Sequence, residues 1–205
     1  MVKVSASILS KNFSQEAVDS VKSADYLQLD IMDGEFVPQT TPWADAIDFL
    51  ETNLPKEVHL MVMNPEEHVD DFIDAGADRI AFHIEATQNP EAVIGMIHVR
   101  GVKAGIAINP STSVETIFPF LEEIEFVIVM SVEPGASGQN FKKSALEKIK
   151  VIKRRNPGVE VEIDGGIDDE TARLAVDAGA DIVVSDSFLQ KGDPEKQIAI
   201  LHSII

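Results

Sequence analysis

Short β-branched or apolar runs alternate along the whole chain with longer stretches in which apolar positions recur at helical spacing, and no low-complexity linker interrupts them. The alternation predicts eight strands, at 2–9, 26–31, 57–62, 79–83, 103–108, 126–130, 159–163 and 182–185. Eight helices are predicted between and after them, at 13–22, 44–52, 66–75, 91–100, 114–121, 143–154, 169–178 and 195–204. Two near-copies, Ala75-Gly76-Ala77-Asp78 and Ala178-Gly179-Ala180-Asp181, and a looser third, Ser23-Ala24-Asp25, fall where a helical pattern gives way to an apolar run. Each reads as a helix stopped by a residue able to adopt positive φ, followed by a short polar turn into a parallel strand. Right-handed units of about 25 residues with strands apolar on both faces predict one α/β domain, residues 1–205, closed into a (β/α)8 TIM barrel. An open doubly wound sheet fits less well. It calls for a glycine-rich nucleotide loop after the first strand, and Ser7-Ile8-Leu9-Ser10-Lys11-Asn12 is not one.

Composition narrows the class further. Of the 205 residues, 44% are hydrophobic and 25% charged, as in folded globular proteins. There is no cysteine, so disulfides and thiolate ligands are excluded. Lys and Arg number 17 against 35 Asp and Glu, a net charge of −18. Nucleic acid and anionic membrane surfaces, which require clustered cations, are thereby excluded as partners. The first apolar run is too short for a signal peptide, and no later one approaches the roughly 20 residues that span a bilayer, so a cytoplasmic location is expected.

In a barrel the chemistry sits at the C-terminal ends of the strands. The polar residues there are Ser7; Gln28, Asp30 and Asp33; His59; His83 and Glu85; Asn109; the stretch 133–139; Asp164-Gly165-Gly166; and Ser185-Asp186-Ser187. Residues two apart on a strand share a face, so Gln28 goes with Asp30, and His59 with Met61. Asp30, His59 and Asp164 are expected to converge on the barrel axis, where two acids and an imidazole suit a divalent cation or an acid and base pair. Spacing alone leaves open the plainer reading, that these groups anchor loops. His68, His98 and His202 fall in helical patterns and read as surface residues.

Several segments together resemble ribulose-phosphate 3-epimerase, in that family's order and over almost the whole chain. They are Ser5-Ala6-Ser7-Ile8-Leu9, Leu29-Asp30-Ile31-Met32-Asp33-Gly34 with Phe36-Val37-Pro38, and His59-Leu60-Met61-Val62. Further along come Phe82-His83-Ile84-Glu85-Ala86, Asn109-Pro110, Met130-Ser131-Val132-Glu133-Pro134-Gly135 with Gly138-Gln139 and Phe141, and Ile163-Asp164-Gly165-Gly166-Ile167. The resemblance implies an isomerase that interconverts D-ribulose 5-phosphate and D-xylulose 5-phosphate. Asp30 and Asp164 would be the acid and base at carbon 3, acting through an enediolate that a divalent cation stabilises. It also implies one metal ion (Zn, Mn, Fe, Co or Mg) held by Gln28, Asp30, His59 and Asp164, and a sugar phosphate as partner. Substrate contacts would come from Ser7, Met32, Met61, Met130, Gly135, Gly138, Gly165, Gly166 and Ser187. His83 and Glu85 match the family's His-x-Glu and are expected to support the site or an interface. A homo-oligomer is expected, as is common among barrels of this family.

Three positions depart from the family pattern: Gln28 stands for histidine, Asp186-Ser187 for Gly-Ser, and Ala136-Ser137 for Phe-Gly. A glutamine oxygen is a weaker ligand than imidazole, favouring a harder ion such as manganese or magnesium, and a carboxylate beside a phosphate dianion is repulsive. The expectation is an epimerase weakened at these points. Two alternatives are a 3-epimerase of a different or unphosphorylated ketose and an inactive barrel that binds a sugar phosphate or a protein.

Overall fold

A computed structural model describes residues 2–9 and 13–204, and in it eight parallel strands close into a barrel in sequence order. They are β1 (Lys3–Ser7), β2 (Tyr26–Met32), β3 (Lys56–Met61), β4 (Arg79–His83), β5 (Lys103–Ile108), β6 (Phe126–Met130), β7 (Glu160–Asp164) and β8 (Ile182–Ser185), with β8 pairing back onto β1. Seven α-helices lie among the described residues: α1 (Gln15–Asp19), α2 (Ala44–Asp48), α3 (Val69–Asp74), α4 (Pro90–Val99), α5 (Ser144–Arg155), α6 (Asp169–Ala178) and α7 (Pro194–His202). The barrel expectation holds. Residues 1, 10–12 and 205 lie outside the described residues, and with them part of the 7–12 segment read above as lacking a nucleotide loop. No described helix is long and apolar enough to cross a membrane.

The helix expected at 114–121 is instead a 3-10 segment, Val114–Phe120. Pro119 lies inside it, and a proline there removes a backbone donor and clashes with the carbonyl four residues back, so an α-helix cannot propagate. The expected first helix is also cut short. The Ser20 hydroxyl donates to the Ala17 carbonyl at 2.7 Å, a local bond that competes with the helical ladder. By contrast α6 spans the predicted residues, because Asp168 and Thr171 form a reciprocal capping box and Gly179 ends the helix at φ 106°.

The repeated acidic turns do more than stop helices. Asp25, Asp78 and Asp181 each accept, at 2.8 Å, the backbone N–H of Val4, Lys56 and Val161 respectively. Glu125, which the repeat did not reveal, does the same for Ala104 at 2.8 Å. The acid preceding each even-numbered strand therefore ties down the start of the odd-numbered strand before it. Three of these acids are covered by bases: His202 lies 2.8 Å from Asp25, His98 3.0 Å from Glu125, and Lys153 2.8 Å from Asp181.

Inside the barrel the lower layers are charged. Arg79 is 1% exposed, its guanidinium carbon 3.7 Å from the Phe126 ring centroid and 4.6 Å from that of Tyr26. Its Nε lies 2.7 Å from Glu57, and its Nη2 3.3 Å from Glu162, both acids wholly buried. Burial and the neighbouring Glu57 charge push the Glu162 carboxyl well up. Gly105 makes this layer possible: a Cβ there would stand 2.4 Å from the Phe126 ring. Gly105→Ala is accordingly expected to destabilise the protein by about 1–3 kcal/mol through overpacking, and Phe126→Leu to recover part of that, as read by urea unfolding.

Candidate active site

The strand register sets the site. Asp30 on β2 stands beside His59 on β3, and Asp164 ends β7. One side-chain ligand atom each from Asp30, His59 and Asp164 lie within 4.8 Å of one another. His59 Nδ1 is 2.9 Å from Asp30 Oδ1 and 3.6 Å from Asp164 Oδ2. Gln28 Nε2 is 2.8 Å from Asp30 Oδ1 and 3.0 Å from Asp164 Oδ2. The Ser7 hydroxyl donates to the other Asp30 oxygen at 2.7 Å and accepts the Leu9 amide at 3.3 Å, which ends β1. Asp30 and Asp164 line a cleft at the mouth of the barrel, whereas His59 and Gln28 are wholly buried beneath them.

A second imidazole stands behind the first. His59 Nε2 meets His83 Nε2 at 2.9 Å, and His83 Nδ1 lies 3.3 Å from Glu85. Burial alone would lower the His59 pKa, but its hydrogen bonds to Asp164 and Asp30 outweigh this and raise it to about 9. Burial, with the neighbouring His59 charge, pushes His83 down to about 4. The two rings thus meet nitrogen to nitrogen, and His83 links the site to Glu85. Burial pushes the Asp164 carboxyl up, against its bond from His59. Glu85 in turn accepts the Asn109 amide at 2.9 Å and the Thr112 hydroxyl, joining the site to the turn after β5.

The remaining wall comes from loops after β6, β7 and β8. Gly165 and Gly166 have φ of 109° and 62°, a region that suits glycine. A Cβ on Gly165 would stand 2.4 Å from Val132, and one on Gly166 2.7 Å from the Phe141 amide nitrogen, so backbone itself forms the cleft wall here. Ser131 anchors this turn, its amide donating to the Asp164 carbonyl at 2.7 Å and its hydroxyl to the same oxygen at 2.9 Å. The Gln139 amide donates to the carbonyls of Glu133 and Ala136 at 2.7 and 2.9 Å, folding the turn that carries Gly135 and Gly138. Ser187 and Asp186 border the cleft after β8, and no Lys or Arg lines it among the described residues.

Residues 3–189 match the profile of the ribulose-phosphate 3 epimerase family. The chain belongs to that family. It is 38% identical over 211 residues to the ribulose-phosphate 3-epimerase of Bacillus subtilis (strain 168), covering 98% of this chain and 97% of that one. It is 36% identical over 214 residues to the cytoplasmic isoform of Oryza sativa subsp. japonica, covering 99% and 94%. The fold is shared more widely. The crystal structure of 3-keto-L-gulonate-6-phosphate decarboxylase from Vibrio cholerae superposes with a TM-score of 0.77 at 16% identity, covering 99% of this chain and 96% of that one.

Epimerases of this family depend on a divalent metal, and the donors here fit one: two carboxylates and an imidazole nitrogen converge, with the buried Gln28 Oε1 beside them lacking a hydrogen-bond partner. Of the expected substrate contacts, Ser7, Met32, Met61, Gly135, Gly138, Gly165, Gly166 and Ser187 line the cleft. Met130 does not. It is buried in a cluster with Ala81, Ala107, Phe126, Ile128 and Val132, beside Asp164 in the strand register. His83 and Glu85, expected from the His-x-Glu match to support the site or an interface, lie behind His59, and Ser131 was given no role by the sequence.

Glu85 is the checkable end of the relay. Although burial opposes ionisation, hydrogen bonds from His83 and Thr112 hold its pKa at about 2, below the ordinary 4.5. Its contribution to stability is thus complete above about pH 4.5 and fades as pH falls toward 2. Glu85→Gln should lower neutral-pH stability by about 1–3 kcal/mol and flatten the acid limb of a thermal-midpoint-against-pH curve.

Proposed function

We propose that Asp30 and Asp164 are the acid and base that invert carbon 3 of ribulose 5-phosphate to give xylulose 5-phosphate. One carboxylate removes the carbon 3 proton, leaving the electron pair shared with the carbon 2 carbonyl as an enediolate. The other carboxyl returns a proton to the opposite face of the same carbon. Inversion needs two such groups, and the reading is carried by one observation: these two carboxyls reach the cleft while the groups that orient them lie buried below. Their hydrogen-bond partners differ in one respect: the Ser7 hydroxyl donates to Asp30 on the oxygen that Gln28 and His59 leave open.

Asp30, His59 and Asp164 would hold the cation, whose chemistry when bound is to offset the negative charge that develops on the substrate oxygens. The donor set is oxygen-rich, which favours manganese or magnesium over zinc, iron or cobalt. Met32 and Met61 bury the carbon skeleton, and the Gly165-Gly166 backbone with Ser187 receives the phosphate. Asp186 borders that same end. A homo-oligomer in the cytoplasm completes the proposal, with light scattering of the purified protein as the check on its assembly.

Asp30→Asn and Asp164→Asn should each lower turnover roughly a hundred- to ten-thousand-fold, with the fold retained. Proton NMR of ribulose 5-phosphate in deuterated water checks this: deuterium enters carbon 3 with the unmodified protein. Its absence under every metal condition would overturn the assignment. Asp186→Gly should lower KM several-fold with little change in kcat, because like charges near contact cost about 1 kcal/mol or more.

A further inference from the structure

Gln28 is wholly buried, two residues before Asp30 on the same face of β2, and it does not reach the cleft. Its Nε2 stands 2.8 Å from Asp30 Oδ1 and 3.0 Å from Asp164 Oδ2, so its two N–H groups are shared between the two carboxyls. Its Oε1 is buried with no hydrogen-bond partner. The chemistry of the neighbours dictates this orientation. Turned over, the amide would set its carbonyl oxygen against two carboxyls, acceptor against acceptor. A cation held by Asp30 and Asp164 would repel these N–H groups, so the amide must give up the carboxylates when it binds. Amide and cation therefore compete for the same carboxylate oxygens.

We propose that Gln28 is a built-in bridge that takes the cation's place between Asp30 and Asp164, keeping the pair aligned in the metal-free protein, so that a metal enters only by displacing the amide. The inference rests on the acid and base reading of those two residues. It has two consequences. The stripped protein stays ordered at its site, and metal affinity is reduced by the hydrogen bonds that must break. Gln28→Met keeps the length of the side chain but removes both the donor and the acceptor.

The test compares chelator-stripped full-length protein and Gln28→Met, with zinc ion as the probe. The stripped wild type should melt within a few degrees of its zinc-loaded form. Stripped Gln28→Met should melt several degrees lower and be restored by zinc, and in chelator competition it should bind zinc at least as tightly as wild type. The inference is overturned if stripped Gln28→Met is as stable as stripped wild type, or if it binds zinc roughly tenfold more weakly, since the amide would then be an ordinary ligand. Should the variant not fold, nitrogen-15 NMR of the wild type decides. An exchange-protected glutamine side-chain N–H pair, present in the stripped protein and displaced on adding zinc, is the expected result; no such pair, or one indifferent to zinc, is the contrary one. If no form exchanges carbon 3 hydrogen, the functional reading fails, while the melting, binding and NMR results still judge the bridge.

Discussion

The axis of an eight-stranded barrel is filled by side chains, so every polar group that points inward must find its partner inside. This chain points many inward. The guanidinium of Arg79 is enclosed by Glu57, Glu162 and two aromatic rings. Above it, the amide of Gln28 and the imidazole of His59 occupy the space between Asp30 and Asp164. His83 and Glu85 carry the pairing out to the turn after β5. Removing a single partner from such a network strands a charge, which is far costlier than never having buried the pair.

That constraint also explains the division of labour between strands and loops. The carboxyls, Gln28 and the two imidazoles sit on or at the ends of strands, where packing and mutual hydrogen bonds allow each one orientation. The cleft wall above is backbone, Gly165 and Gly166, where a side chain would collide with Val132 or with the backbone of residues 139–141. An acidic protein with no lysine or arginine lining the cleft among its described residues must offer an anionic substrate amides, hydroxyls and a cation instead.

The structure also turns a sequence repeat into a mechanical feature. The acids at Asp25, Asp78 and Asp181 recur because each has the same task, holding down the start of a neighbouring strand. Glu125 performs it with a longer side chain and so left no trace in the repeat. These ties lie at the foot of the barrel, opposite the cleft, in keeping with the general separation of stability from chemistry in such folds.

By itself the sequence determined the strand count, the order of the strands and the residues at their C-terminal ends, because short β-branched apolar runs and glycine stops are local properties that any short window carries. It also sufficed to single out Asp30, His59 and Asp164, since strand ends in a closed barrel have one place to converge. Pro119 was visible in the chain, and it is the local reason Val114–Phe120 is a 3-10 segment where the apolar spacing alone predicted an α-helix. Only the tertiary structure decided that His83 meets His59 through Nε2 and that the Gln28 amide reaches from Asp30 to Asp164. Each is a contact between strands far apart in sequence, and the stagger of the closed sheet, which no local pattern encodes, brings those atoms within reach.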